Sequence, residues 1–526
     1  MKIYLYLTPL LIAVCSALAY YVGAGKFIKN NQFNQQQNVS KLNHVIDIIE
    51  NRYVDTVERD ALVELAIENM LKELDPHSAY ISARNTQQEN ERLQGHFGGV
   101  GIRFIVLRDT LMVTNVINGG PAQKAGLQAS DRIIAVDDTV IAGVGLAIED
   151  VHKRLKGESG TPVHLTILRK NKEKEIDIIR GEIPLYSVNA SYTLTPEIGY
   201  IKIDNFSDKT GTEFAQALGK LNRNGIKKLI LDLRNNGGGY MHTAVNVADE
   251  FLEDGKLIVY TQGTHQDKKE IYATSYGNFE DKEVVVLVNS STASASEIVS
   301  GALQDNDRAT IIGRRTFGKG LVQQPIRLED GSEMRLTVSR YYTPTGRCIQ
   351  KAYGEGIDYQ HDLMDRYENG ELQELDSAHF ESLEKFTTPK GKIVYGGGGI
   401  MPDIFVPIDT TGASHYYTNL MYSTAFRDFT FDYIDKNRSK LKYKDVEEFN
   451  KNFEVSDQLL NDFVTYADTA LGIKKIDSQL EHSKKRIKNQ LKAEIATYLF
   501  DVSARNLIIM PFDRDVQEAI KYIEKK

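Results

Sequence analysis

Three side chains in residues 284 to 323, VVVLVNSSTASASEIVSGALQDNDRATIIGRRTFGKGLVQ, have the types that acyl transfer requires. Ser294 offers a hydroxyl, Lys319 lies 25 residues on, and Gln323 follows after another four. A hydroxyl is a poor nucleophile until a base takes its proton, and Lys319 is the nearest candidate base. A lysine does that work only when neutral. With the ordinary lysine pKa of about 10.4, roughly one amine in a few thousand is neutral at pH 7. Burial in an apolar, cation-poor pocket disfavours the ammonium and brings the amine into a working range. A hydrogen bond from the Gln323 amide would orient that amine without adding a charge; a carboxylate there would stabilise the protonated form.

These groups need elements to hold them. Val284 to Val288 is a short β-branched run that predicts a buried strand, and Ser294 to Leu303 switches to helical spacing through Ile298, Ala302 and Leu303. Ser294 is thereby expected at a strand-to-helix turn, where free N–H groups and the helix dipole favour developing negative charge. Upstream, Ile198–Ile203, Leu229–Leu233 and Leu257–Thr261 read as strands and Thr212–Leu221 and Thr243–Leu252 as helices. That alternation predicts α/β packing around a largely parallel sheet. Between one strand and the next helix lies Leu231-Asp232-Leu233-Arg234-Asn235-Asn236-Gly237-Gly238-Gly239, whose glycines let the backbone turn N–H groups toward a substrate, as an oxyanion hole requires.

The run Ser294-Ala295-Ser296-Glu297, the pairs Gln304-Asp305 and Arg308-Ala309, and Thr316-Phe317-Gly318-Lys319-Gly320 followed by Val322-Gln323 resemble the C-terminal processing peptidases, serine endopeptidases with a Ser-Lys pair. Leu74-Asp75-Pro76-His77-Ser78 resembles the N-terminal helical part of the same family, and Gly397-Gly398-Gly399-Ile400-Met401-Pro402-Asp403 its return to the core. The resemblance spans roughly Leu42 to Pro407. It implies a multidomain α/β and α+β protein: a ClpP/crotonase-like α/β protease core with an inserted PDZ-type β-rich domain, an N-terminal helical region and a C-terminal helical extension. It also implies an oxyanion hole from Gly238 and Ala295, an acyl-enzyme, cleavage of proteins near their C-termini, and no metal or organic cofactor. His77, in a turn after a helix stop, reads as structural.

Residues 95–181 resemble a PDZ domain through Gly120-Pro121-Ala122, Lys124-Ala125-Gly126-Leu127 and Asp131-Arg132-Ile133-Ile134-Ala135-Val136. The opening Gly98-Gly99-Val100-Gly101-Ile102 would present backbone N–H groups to a C-terminal carboxylate, and the next strand would accept an extended peptide by β-augmentation. Gly99, Val100, Gly101, Ile102 and Phe104, with Val151 and Leu155 from a following helix, are the expected binding residues. The expected partners are protein substrates with accessible apolar C-termini.

A chain of 526 residues with 41% hydrophobic and 26% charged residues holds several domains, and a net charge of −8 leaves no nucleic-acid footprint. Ile3 to Gly25 carries no charge and is long enough to cross a bilayer. A retained anchor at 1–25 and a polar tether at 26–40 are expected, placing the rest on the periplasmic side of the inner membrane. A signal peptide cleaved after Ala17-Leu18-Ala19 is the alternative. Cys348 stands alone in the soluble part, which excludes an intramolecular disulfide. The remaining regions are read as 41–94 helical, 182–409 catalytic core with a polar surface insert at about 353–392, and 410–526 helical. The last is assigned packing, oligomer or adaptor roles, with one apolar face through Leu459, Leu460, Phe463, Val464 and Ala467 and another through Val516, Ala519, Ile520 and Ile523. Gly313 to Lys319 satisfies the first part of a phosphate-binding loop, but Gly320 and the strand-like Leu321-Val322-Gln323 supply neither the hydroxyl nor the helix that follows. An inactive scaffold that binds C-termini is the rival reading; Ser294, Lys319 and Gln323 all standing at family spacing argues against it.

Overall fold

The computed structural model describes residues 40–145, 147–374 and 383–526. The proposed anchor lies outside them, and among the described residues no helix is long and apolar enough to cross a membrane. Two compact units divide the chain, Met1–Ala83 with Pro325–Leu336, and all the rest.

In the first unit a helix over 40–52 and the helix Arg59–Lys72 precede a short strand, Ala79–Ile81, antiparallel to Glu333–Arg335. Asp75 ends the helical stretch by accepting the backbone N–H of His77 and of Ser78 at 2.8 Å and the Ser78 hydroxyl at 2.6 Å. His77 therefore belongs to a helix-stop turn. Of the apolar residues at helical spacing in these helices, Ile46 and Leu71 are buried, whereas Leu42, Val45, Met70 and Leu74 are each at least 44% exposed. Periodicity shows that a face is apolar, not that this chain covers it.

The second unit opens with the PDZ module. Ile102–Leu107, Thr110–Val116, Arg132–Val136, Pro162–Arg169 and Lys172–Ile179 form an antiparallel sheet in that spatial order. Helices cover Pro121–Lys124 and Ile148–Leu155, and His96–Gly99 pairs with Gly181–Pro184 where the chain enters and leaves. Three hairpin turns use the pairs Arg108-Asp109, Asp137-Asp138 and Lys170-Asn171, every residue at positive φ, the backbone whose twist matches paired strands. Ile102–Leu107 is an edge strand of this sheet.

The α/β core is a six-stranded sheet in simple chain order: Val188–Thr193, Ile198–Ile203, Lys228–Asp232, Glu283–Val288, Thr310–Gly313 and Ile404–Phe405. Only the first pairing is antiparallel. Alternation along the strands divides their side chains between two buried faces. Leu229, Leu231, Val284, Val286 and Ile311 pack under the helices Thr210–Arg223, Met241–Asp249 and Ala295–Asp305. Ile230, Val285, Leu287 and Ile312 pack on the other face against Val516, Ala519 and Ile523 of the helix Arg514–Glu524. This helix thus covers the second face of the sheet. Ile523 is fully buried, so Ile523→Ala is expected to destabilise the protein by about 2–5 kcal/mol in urea denaturation.

Before that helix the extension forms its own bundle, with Leu459, Leu460, Phe463, Val464 and Ala467 all buried. Met112 of the PDZ sheet joins the same cluster, and Ile105 and Leu107 pack on it. The insert departs from expectation. Its shortage of apolar residues points to a surface segment, yet Tyr359, Arg366, Leu372 and Thr388 are buried. Its buried groups are largely polar and satisfied by hydrogen bonds, a pattern that hydrophobicity does not reveal.

Candidate active site

Three adjacent parallel strands, Lys228–Asp232, Glu283–Val288 and Thr310–Gly313, release their chains at one edge, where ligands of open α/β sheets bind. The first leads into the glycine loop, the second into Ser294, and the third into the loop that carries Lys319. Strand order thereby gathers groups separated by some 80 residues of sequence.

Ser294 sits at the turn into the helix Ala295–Asp305 with φ 57° and ψ −115°, a strained backbone for a residue with a side chain. Every residue of that helix is buried, including Glu297. The Glu297 carboxylate accepts the Ser294 N–H at 2.8 Å and the Lys319 N–H at 2.9 Å through the same oxygen, Oε2. Its other oxygen accepts the Gly318 N–H at 2.7 Å and the Thr316 hydroxyl. One buried carboxylate therefore pins the serine turn to the lysine loop. Burial pushes the Glu297 carboxyl above its ordinary range, and these four donors work against the rise. Tyr341, also fully buried, donates its hydroxyl to the Ser294 carbonyl at 3.2 Å.

Lys319 Nζ donates to Gln323 Oε1 at 2.8 Å. The chain after Gly320 is a strand, Leu321–Arg327, so no helix begins where a phosphate-binding loop would need one. From outside, Arg366 of the insert donates to the carbonyls of Thr316 at 2.8 Å and Phe317 at 3.3 Å. The insert is thus a support for the lysine loop.

The glycine loop touches the serine directly. A side chain at Gly238, whose φ is +99°, would place its Cβ 2.8 Å from Ser294 Cβ and 3.0 Å from Ala295 N. In this arrangement the Gly238 N–H donates to Asn236 Oδ1 at 2.9 Å, while the Ala295 N–H at the head of the helix has no acceptor among the described residues. Asn236, fully buried, also accepts the Ala293 N–H and the Ser296 hydroxyl at its carbonyl, each at 3.0 Å. It ties the glycine loop to the serine turn.

In the PDZ module Val100, Val151 and Leu155 lie in the buried core, and Ile102 and Phe104 pack against it. Gly99 is paired in a strand, and Gly101 adopts φ +82°. Ile102 and Phe104 are partly buried on the edge strand. Facing Phe104, with ring centroids 5.2 Å apart, is His152 of the helix Ile148–Leu155, a residue that sequence reasoning passed over. Burial and the nearby Lys156 hold the His152 imidazole below its usual pKa, favouring the neutral ring. Asn236 and Arg366 were also missed. Glu297 carried a signal, an acid three residues after Ser294 in a first turn of otherwise small and apolar residues, but its partners did not.

A strained serine, a lysine held by a neutral amide, and backbone N–H groups at a helix start can together perform acyl transfer. Residues 197–361 match Peptidase family S41, residues 98–179 the PDZ domain, residues 23–85 the activating protease CtpB N-terminal domain, and residues 416–501 a family of unknown function. A Staphylococcus aureus (strain N315) protein named "Probable CtpA-like serine protease" is 36% identical over 352 residues, 66% of this chain and 69% of the relative. The chain belongs to peptidase family S41. A Bartonella bacilliformis protein named "Carboxy-terminal-processing protease" is 37% identical to this S41 chain over 336 residues, 62% of this chain and 76% of that one. Among solved structures, the photosystem II D1 C-terminal processing protease is 27% identical, covering 69% of this chain and 86% of that chain, with a TM-score of 0.36. This S41 peptidase is a serine-type hydrolase of the C-terminal processing kind, with a PDZ domain suited to protein C-termini.

Proposed function

We propose that the chain is a membrane-tethered, exported endopeptidase in which Ser294 is the nucleophile, Lys319 its base and Gln323 the residue that orients the base. Neutral Lys319 takes the Ser294 proton as Oγ bonds to the scissile carbonyl carbon. The resulting oxyanion is held by the Ala295 N–H and by that of Gly238, once Asn236 has turned away. Collapse breaks the C–N bond, and the proton on Lys319 passes to the leaving amine. Water, deprotonated by the same lysine, then releases the acyl group, and Ser294 regains its proton.

The observation that carries this reading is the shared carboxylate: the Ser294 and Lys319 N–H groups meet on one oxygen of Glu297 while Lys319 Nζ rests on Gln323. The PDZ edge strand would take the substrate's C-terminal residues, between Ile102 and Phe104 on one side and the helix Ile148–Leu155 on the other. The uncharged run Ile3 to Gly25 supports anchoring on the periplasmic face, with 26–40 as tether, 41–94 and 410–526 as helical regions, 95–181 as PDZ domain and 182–409 as catalytic core.

Purified Ser294→Ala, assayed on a protein with an exposed apolar tail, is expected to show no cleavage by mass spectrometry while wild type releases C-terminal fragments. Cleavage at the wild-type rate by the variant would sink the proposal.

A further inference from the structure

The start of the last helix reaches the roots of two catalytic loops from behind the sheet. Arg234, four residues before Gly238, grips Asp232 with two hydrogen bonds, Nε to Oδ1 at 2.9 Å and Nη2 to Oδ2 at 2.6 Å. Its remaining nitrogen, Nη1, donates to Asp513 at 2.8 Å and to Asp515 at 2.9 Å. Arg314, five residues before Lys319, grips both oxygens of Asp515, at 3.1 and 3.0 Å, and donates to the Val406 carbonyl at 2.8 Å. Asp515 thus bonds two arginines, one on each loop. The side chains of Asp232, Arg234, Arg314 and Asp515 are at most 13% exposed, and that of Asp513 is 23% exposed.

The arrangement is directional. Paired guanidinium–carboxylate contacts fix angle as well as distance, which a lysine or a water-filled gap would not do. Burial would raise the Asp232 carboxyl, but Arg234 and Lys202 more than offset it and hold it well below its usual range. Lys202 also donates to the Arg234 carbonyl at 2.9 Å, and Asn235 and Asn289 exchange hydrogen bonds, at 3.0 and 2.8 Å. From Arg234 onward the path to Gly238 is therefore bonded on both sides. On the other loop, Arg314 stands two residues before Thr316, whose hydroxyl binds Glu297.

We propose that Asp515, assisted by Asp513, is a positioning residue for catalysis: it sets the glycine loop against the lysine loop through Arg234 and Arg314, so that the first turn of the C-terminal helix, and not the helix as a whole, braces the catalytic loops. This rests on the Ser294 and Lys319 reading above. A displacement of about 1 Å between reacting groups costs up to about a hundredfold in rate, which is the scale such a brace controls.

The test compares Asp515→Asn, Asp515→Glu and Ile523→Ala in the full chain, at a temperature where melting curves show all of them folded. Asp515→Asn keeps the shape and removes the charge. It is expected to lower kcat about ten- to a hundredfold with KM for a C-terminal peptide substrate unchanged, and Asp515→Glu to recover part of the loss. Ile523→Ala, which loosens the same helix without touching either arginine, is expected to lower the melting temperature and leave kcat per folded molecule unchanged. Wild-type kcat in Asp515→Asn, or an equal kcat loss in Ile523→Ala, overturns the proposal while leaving the Ser-Lys site intact. Ser294→Ala and Lys319→Ala are measured alongside, and cleavage retained by either overturns both readings.

Discussion

Lys319→Ala is expected to reduce kcat by about 10⁴- to 10⁶-fold, the range that follows removal of a base acting as a unit with a serine nucleophile. The reason is geometric as much as electronic. Lys319 Nζ is held 2.8 Å from an uncharged acceptor, Gln323 Oε1, and its backbone N–H is bonded to the same Glu297 oxygen as that of Ser294. The proposed mechanism assigns substrate capture to the PDZ module, so KM is expected to change little. In wild type kcat/KM should rise with pH as the amine becomes neutral, and the variant's residual rate should lose that limb. Stopped assays across pH with one peptide check both points. A residual rate within tenfold of wild type would mean that another group takes the serine proton.

Glu297→Gln should also be strongly damaging, though less so than Lys319→Ala, and it never touches substrate. Glu297 receives three N–H donors and one hydroxyl from two loops. A glutamine at this site presents an NH₂ group where a donor already points, so one loop must move. Buried donors left without an acceptor cost about 1–3 kcal/mol each. Displacement of Ser294 from Lys319 adds a rate loss of about a hundredfold or more. The expected result is a lower melting temperature together with a kcat that falls at least that far per folded molecule. Wild-type kcat in a folded variant would show that the loops are held by other contacts.

The contrast between Lys319 and Glu297 shows what a sequence can carry. The serine turn and the strand Val284–Val288 were legible because β-branched runs, a switch to helical spacing and flanking glycines are local signals. The alternation of strands and helices likewise pointed to the parallel sheet, and hence to loops emerging at one edge. Supports that act across the chain were not legible. Asp515 stands 281 positions from Arg234, and Arg366 stands 50 from the Thr316 carbonyl it binds. No spacing rule joins such pairs. Charged residues in a polar insert read as solvated, yet Arg366 is 3% exposed, its two terminal nitrogens bonded to the Thr316 and Phe317 carbonyls and to Asp362. In the PDZ module Val151 and Leu155 lie on the expected helix, in the cluster against which Ile102 and Phe104 pack, and the ring of His152 beside Phe104 had no local signal. The glycine loop shows the same limit at finer scale. Three adjacent glycines mark close approach to Ser294, and only the fold reveals that the N–H of Gly238 is occupied by Asn236.

The most direct measurement is the mass of the enzyme quenched during turnover of a slow ester or amide substrate, followed by location of the acyl group in its peptides. The account predicts an acyl adduct on Ser294 that appears before steady state, decays with water, and is absent in Lys319→Ala. An acyl group on any other residue, or turnover without an adduct on Ser294 when hydrolysis of the intermediate is made rate-limiting, would contradict it.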